Sequence, residues 1–461
     1  MDDLGFYRTR SLWLETAGDL TPREPLPGDA DADVAIVGGG MAGLWTAYYL
    51  AEADPSLRIV VLEKDIVGFG ASGRNGGWCT PFYGPTIQTI AKEFGRDAAI
   101  AMQRAMIDAT VEIGRACEAE GIDAEYRMAG GITAATGPTQ AERLRRTVDE
   151  LHSFGFGEDE FRMLSATETD EHVRARGVVC SLFVPREAAV NPGKLIRGLA
   201  LACESRGVKI YEQTAAVSIG KGSVATEHGR VRADVIVRAT EAYTGSLRRH
   251  ERLIAPIEEA MIATEPLPAS FWNGCWSGPA LFGDAPHLFI YAQRTTDDRI
   301  AIGGGRASVR YHYGARTPDP LPFESAWEAI RDRLVELFPE VADAKITHRW
   351  TGYIGYPRNY RPSAGFRRDL GVAWAGGYVG GGNVNSNLAG RTLRDLILGR
   401  DTDLVHLPWV GQRWRLWEPE PLAWLGINGA AEALSLVDRI EARTGKRSAL
   451  TRVAELLGVV E

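Results

Sequence analysis

The sequence predicts an α/β protein: a parallel-sheet domain, an antiparallel-sheet domain inserted into it, and a helical C-terminal tail. Three observations predict it. Between Asp33 and Glu63 an apolar strand, a glycine turn, a helix and a second apolar strand follow one another. Near residue 370 the same grammar returns, where GVAWAGG leads through further glycines into the helix-forming run NVNSNLAGRTLRDLIL. Between residues 246 and 345 strand and turn signals dominate, in FWNGCWSGPALF, LFIYAQR and DRIAIGGGR, with one amphipathic helix from Ser325 to Phe338.

The totals set limits on what the chain does. Its 461 residues suffice for two or three domains, and 45% apolar with 24% charged residues is the balance of a soluble globular protein. A net charge of −8 argues against nucleic acid or an anionic membrane as the main partner. The first thirty residues lack a basic region followed by an apolar run, and no apolar stretch approaches ~20 residues, so neither a signal peptide nor a membrane span is expected. The five cysteines (Cys79, Cys117, Cys180, Cys203 and Cys275) are widely spaced without a C-x-x-C pair. That spacing gives no zinc site and no full disulfide framework, and suits a reducing cytoplasm.

In the opening unit, Val34, Ile36 and Val37 form the buried strand, and Gly38, Gly40 and Gly43 follow at the G-x-G-x-x-G spacing. The first glycine permits the tight turn, the second a close backbone approach to a pyrophosphate, and the third close packing of helix on strand. Glu63 ends the strand Ile59 to Leu62, twenty residues after Gly43, where a carboxylate accepts hydrogen bonds from an adenosine ribose. Together these predict a Rossmann-like dinucleotide site. The run IVGFGASGRNGGWCTPFYGP comes next, and its glycines let backbone amides approach a ligand that Arg74 and Asn75 are placed to hold.

Residues 86–130 read as helices, chiefly Ala98 to Glu120, and another helix spans Thr139 to Ser153. Asn191-Pro192-Gly193 starts a helix that Gly207 ends, the strand VKIYEQTAAV follows, and VRADVIVRATEAYTG closes the section with Ala239-Thr240 at a strand end. The expected organisation is therefore an N-terminal docking segment at 1–30, carrying Phe6, Tyr7, Trp13 and Leu14; a nucleotide domain at 31–85, 181–245 and 346–400; a substrate domain at 86–180 and 246–345; and a helical tail at 401–461. Trp409, Trp414, Trp417 and Trp424 in the tail are expected to pack against the body or a sister subunit.

ADVAIVGGGMAGLWTA with Glu63, VGFGASGRNGG, NPGKLIRGLA, VIVRATEAYTG and AGGYVGGGNVNSNLAGRTLRDLIL, in this order, resemble the FAD-dependent amine and amino-acid oxidoreductases of the D-amino-acid oxidase and glycine/sarcosine oxidase superfamily, in particular its gamma-glutamylputrescine oxidase-like branch. The resemblance implies FAD bound in an extended form. Gly38, Gly40 and Gly43 would face the pyrophosphate, and Glu63, with Lys64 beside it, the adenosine ribose. Ala71 and Ser72 would lie near pyrophosphate and flavin, Val217 near the adenine, and Thr240 near the cofactor. Gly377, Gly380, Gly381, Gly382 and Asn383 would lie against the flavin ring, where the next helix N-terminus stabilises negative charge.

Two departures from that pattern stand out. Gly381 replaces the histidine common in the last glycine turn, and Ala301 in RIAIGGG stands where sarcosine-type relatives carry a lysine that assists reaction with oxygen. The acceptor, oxygen or another, is thus open. Relatives with covalent flavin use a cysteine or histidine; Cys79 lies close to GRNGG, but a plain buried thiol is the preferred reading.

The implied reaction passes a hydride from the carbon beside an amine nitrogen to flavin, and the imine then hydrolyses to an aldehyde or keto acid. Aromatic walls and a few polar anchors suffice for it. Trp350, Tyr353 and Tyr356 are candidates to cage the amine, Arg358 or Arg306 to hold a substrate carboxylate, and Tyr378 to cover the ring. Trp350, Tyr353, Arg358 and Tyr378 are taken as the catalytic set, with no metal ligand. A flavin enzyme acting on an alcohol or hydroxy acid, and a flavin-bearing subunit needing a partner, are the alternatives.

Overall fold

The computed structural model describes residues 3–318 and 322–451. Its first sheet grows from the strand Ala30–Val37, whose last four residues are buried on both faces, as expected of a parallel strand covered on two sides. Ile59–Leu62 and Lys209–Tyr211 extend the sheet on one side, and Arg230–Arg238 and Val372–Gly376 on the other, all in parallel. Val37 is level with both Leu62 and Arg238, so the carboxyl ends of the three central strands meet at one crevice. The antiparallel strands Ala216–Gly220, Ser223–Thr226 and Ser363–Arg367 complete eight.

Helices Met41–Ala53, Pro192–Ser205 and Gly382–Leu398 cover one face of this sheet. Trp45, Tyr48 and Tyr49 of the first meet Leu195 and Leu199 of the second and Leu388 and Leu393 of the third in one apolar core. The start of the second has a local cause. Asn191 caps Pro192–Ser205 by accepting the Lys194 amide, with proline in the first turn, where its missing N–H costs nothing. The other face carries Ala35, Val37, Val60 and Leu62, which pack with Leu26, Val224, Val231 and Ile236.

The second sheet has nine strands, and two of them lie almost wholly within the ranges expected for the nucleotide domain. Its order is Val309–Tyr311, Ala255–Thr264, Ile300–Gly304, Ile290–Arg294, Leu281–Asp284, Gly131–Ala135, Cys180–Val184 and Arg162–Ser165, with Ile346–Tyr356 on the free edge of Ala255–Thr264. Cys180–Val184 and Ile346–Tyr356 adjoin nucleotide-domain motifs in the chain, but their hydrogen-bond partners are Gly131–Ala135 and Ala255–Thr264. Helix Arg96–Glu120 departs the other way. It packs on Gly382–Leu398 of the nucleotide layer, and the Tyr49 hydroxyl donates to its Glu112 at 3.0 Å. Apolar periodicity fixes that these elements exist, not which sheet completes them. Helix Glu324–Leu337 closes the outer face of the second sheet through Ile330, Leu334 and Leu337.

The N-terminal segment is bound in place. Leu12–Glu15 is a short helix capped by Ser11, whose hydroxyl donates to Gly73 O at 2.7 Å, and Trp13 Nε1 donates to Asn75 O at 2.7 Å. In the tail, Trp409 is buried, Trp414 Nε1 donates to Arg361 O, and Trp417 Nε1 donates to Tyr356 O; Trp424, on helix Leu422–Thr444, is exposed. Tail residues 452–461 lie outside the described residues. Among the described residues no helix is long and apolar enough to cross a membrane, and no cluster of three His, Cys, Asp or Glu side chains is placed to hold a metal.

Candidate active site

The glycine turn is shaped by close approaches. A Cβ on Gly43 would run into Gly38 O, so only glycine lets helix Met41–Ala53 begin this near the strand. Ser72, in the single turn Ala71–Gly73, accepts the Met41 amide through Oγ at 2.9 Å, which brings that turn to the helix N-terminus. Glu63 accepts the amides of Gly39 at 2.7 Å and Asp65 at 2.9 Å, and burial raises its carboxyl to about 7 against those two bonds. Lys64 beside it is exposed. Thr214 N donates to Glu63 O at 2.7 Å, which carries the chain on to Val217, half exposed on an edge strand. The Thr240 hydroxyl is 2.9 Å from that of Thr244.

At the other end of the crevice the turn after Val372–Gly376 is held by a residue that sequence reasoning missed. Glu241, three residues beyond Arg230–Arg238 and at φ +41°, accepts the amides of Gly377 at 2.7 Å and Tyr378 at 3.2 Å. Its carboxyl is pushed up to about 7 by burial. The only sequence signal for it was an acid directly after a strand end rich in small residues.

A Cβ on Gly380 would meet nothing within 4 Å, so the backbone there borders open space. Replacing Gly381 by a larger residue would crowd Asn385 Nδ2. Tyr378 is buried, and its hydroxyl has no hydrogen-bond partner among the described residues. Asn383, in the first turn of Gly382–Leu398, donates through Nδ2 to Asn75 Oδ1 at 3.0 Å and to Trp78 O at 2.9 Å. The glycine-rich loop is held from the other side by Gln293, whose Nε2 donates to Gly76 O at 2.8 Å.

These features fit an extended dinucleotide. Amides and a helix N-terminus stand at its centre, a carboxylate at one end, and an open glycine backbone with an orphaned phenol at the other.

The inner face of the second sheet forms the wall opposite. Side chains alternate along its strands. Met261, Ala263 and Ala301 share one face with Trp350 and pack with Leu12 and Trp13 of the N-terminal helix. Ala301 is 1% exposed, packed among apolar and aromatic side chains. Trp350 Nε1 donates to Arg74 O at 2.8 Å, and Arg74 lies over the Phe69 ring and reaches Thr351 O. Tyr353 points to the other face. Its hydroxyl donates to Pro318 O at 2.9 Å, and its ring lies near His312, which pairs with Glu258.

Arg358 donates to both oxygens of Glu418 at 3.0 Å, while Arg306 is exposed. The structure therefore brings Trp350 to the wall and Tyr378 to the glycine turn, and leaves Tyr353 and Arg358 facing elsewhere. Cys79 is a free buried thiol whose ionisation burial opposes. On the wall itself are residues not singled out from sequence: Tyr291, whose ring fills the place a Cβ on Gly76 would need, and Glu259, which accepts the Tyr291 hydroxyl at 3.3 Å.

A family model described as FAD dependent oxidoreductase matches residues 33–396. Gamma-glutamylputrescine oxidoreductase of Escherichia coli (strain K12) is 30% identical over 416 residues, which cover 88% of this chain and 94% of that protein. Glycine oxidase of Geobacillus kaustophilus (strain HTA426) is 26% identical over 392 residues, covering 80% of this chain and 94% of that one. Among solved structures, glycine oxidase from Geobacillus kaustophilus superposes with a TM-score of 0.69 at 21% identity, over 83% of this chain and 99% of that one. L-amino acid deaminase from Proteus vulgaris does so with a TM-score of 0.67 at 19% identity, over 83% of this chain and 97% of that one.

Proposed function

The chain belongs to the FAD dependent oxidoreductase family, and from that premise we propose that it oxidises a primary or secondary amine or an amino acid to an imine, which water then hydrolyses to an aldehyde or keto acid. Bound FAD supplies the hydride acceptor. The observation that carries the reading is the aromatic wall set against the glycine-rich loop, with the Tyr291 ring directly over Gly76 and Met261 and Trp350 on the same face. Hydride loss from an uncharged amine asks the protein for orientation and exclusion of water, which such a wall provides. The similarity to amine and amino-acid oxidoreductases extends over both sheets and supports the same reading.

In this reading Gly38, Gly40, Gly43 and Ser72 hold the pyrophosphate and Glu63 the ribose, with Val217 at the adenine. Glu241 fixes the turn that carries Gly377, Tyr378 and Gly380 toward the flavin. Tyr291 and Tyr378 line the reacting end, while Trp350 supports the wall. Oxygen is a poor acceptor in this reading, because Ala301 packs among Leu12, Trp13 and Trp350 and carries only a methyl group where a lysine would stabilise a reduced oxygen species.

The test is anaerobic bleaching of the flavin by a panel of amines, amino acids and hydroxy acids. Bleaching by amines or amino acids is expected. Bleaching by hydroxy acids alone would overturn the reading.

A further inference from the structure

Helix Arg96–Glu120 turns part of its outer face to a groove of about 900 Å³. The other residues lining it come from 157–160, from Arg186 and, on helix Gly382–Leu398, from Arg391. None of them belongs to the cofactor cradle or to the wall opposite it. Arg391 stands nine residues beyond Gly382, about 13 Å along the helix axis from the last glycine turn.

The charges lining the groove divide into paired and unpaired. Glu112 accepts the Tyr49 hydroxyl at 3.0 Å, and Nε and Nη2 of Arg115 at 2.6 Å and 2.7 Å. Arg104 pairs with Glu160, which also accepts the Gly157 amide at 3.1 Å. Arg186 and Arg391 are left over. Among the described residues neither has a hydrogen bond or an ion pair, and Arg391 Nη1 is buried without an acceptor.

A guanidinium presents five N–H donors in a planar fork, and a buried donor with no acceptor is an exception in folded proteins. The fork matches a carboxylate, which takes two parallel N–H bonds from it. The rest of the groove narrows the choice of acid. Ile107 and Val111, one turn apart on the helix, lay an apolar strip along it, and Val111 is 42% exposed. Asp108 and Asp159, both exposed and lining the same groove, repel an anion of two or more charges. We propose that Arg391 and Arg186 bind the carboxylate of a small monoanionic acid with an apolar chain, at a site separate from the nucleotide crevice. The acid bound there is a ligand of the helical layer and not the substrate, so the site stands independently of the amine-oxidation reading.

The test is calorimetric titration of the FAD-loaded enzyme with sodium butanoate. Saturable binding is expected with a Kd of about 1 mM or tighter, and with inorganic phosphate and butylammonium each at least about 10-fold weaker. Arg391→Gln keeps most of the stem and removes the fork. It is expected to weaken butanoate at least about 10-fold and to leave the flavin spectrum unchanged. Arg186→Gln, at an exposed position, serves if the first variant does not fold, and is expected to weaken butanoate about 3- to 10-fold. A wild type without saturable butanoate binding, or one that holds phosphate as tightly, would overturn the site. Butanoate binding that survives both variants and shifts the flavin spectrum would place the acid in the crevice instead, and overturn it equally.

Discussion

The side-chain amide of Asn383 donates to the side-chain carbonyl of Asn75 at 3.0 Å, across 308 residues of sequence. That one bond joins the helix after the last glycine turn to the glycine-rich loop that follows the first nucleotide unit. The same amide reaches Trp78 O, and Asn75 Oδ1 also accepts the Gly77 amide at 2.8 Å, so the loop is pinned on the side of the last glycine turn.

Asn383→Leu keeps the volume and removes both donated bonds. Leaving Trp78 O without that donor and weakening the loop costs on the order of 1–3 kcal/mol. FAD affinity is expected to fall about 10-fold or more, read by flavin fluorescence titration of the stripped protein. An unchanged Kd would mean the loop is held well enough without Asn383.

Gly43→Val is expected to abolish FAD retention, because even a Cβ there collides with Gly38 O and drives the helix off the strand. Glu63→Gln keeps the shape and loses the charge that would strengthen its proposed bonds to ribose, on the order of 1–2 kcal/mol, so retention is expected to be weakened rather than lost. The FAD-to-protein absorbance ratio after gel filtration separates the two. Normal FAD content in Gly43→Val would remove the pyrophosphate assignment.

Reduced wild-type enzyme is expected to be reoxidised more slowly by oxygen than by an acceptor dye. Ala301→Lys alone should not repair this. The site is packed by Trp13, Met261 and Trp350, and a lysine there both overfills it and buries a charge, at a stability cost on the order of 3 kcal/mol. Combining it with Trp13→Ala makes room for the ammonium, and that double variant is expected to react faster with oxygen in stopped-flow measurements. A double variant no faster than the wild type would show that charge at this position does not govern oxygen reactivity.

Glu187 gives a pH signature independent of catalysis. It is buried, its one lowering influence is the Thr80 hydroxyl bonded to it, and burial raises its carboxyl from 4.5 to about 7. A raised acid favours the folded state only while protonated. Its contribution is therefore full below about pH 4.5 and is lost as pH rises through about 7. Glu187→Gln removes that loss. It is expected to be more stable than wild type by about 2–3 kcal/mol at pH 8, with little difference at pH 4, in urea melts at the two pH values. Equal gains at both values would show that ionisation is not the cause.

The strand–glycine turn–helix geometry was legible because its determinants are local. Gly38, Gly40, Gly43 and Glu63 lie within one strand–helix–strand unit, and the collision that forbids a side chain at Gly43 is with Gly38, five residues away. Periodicity likewise set the long helices to within two residues: Ala98 to Glu120 is found as Arg96–Glu120, and Ser325 to Phe338 as Glu324–Leu337. Sheet membership was not legible, since a strand such as Ile346–Tyr356 has the same apolar pattern whichever sheet it joins, and its partner Ala255–Thr264 lies some ninety residues earlier.

The wall shows the same division most sharply. From the letters alone Trp350, Tyr353 and Arg358 were all candidates, because the sequence does not say which face of the strand looks inward or that Glu418 holds Arg358. Glu258 and Glu259 are identical neighbours in IEEA, and nothing in that run distinguishes them. Strand alternation in this register turns the first to Arg310 and His312 and the second to Tyr291. A glycine turn built from chain-adjacent backbone is written in residue spacing; a wall built from side chains of four separate strands exists only once pairing has fixed which way each one points.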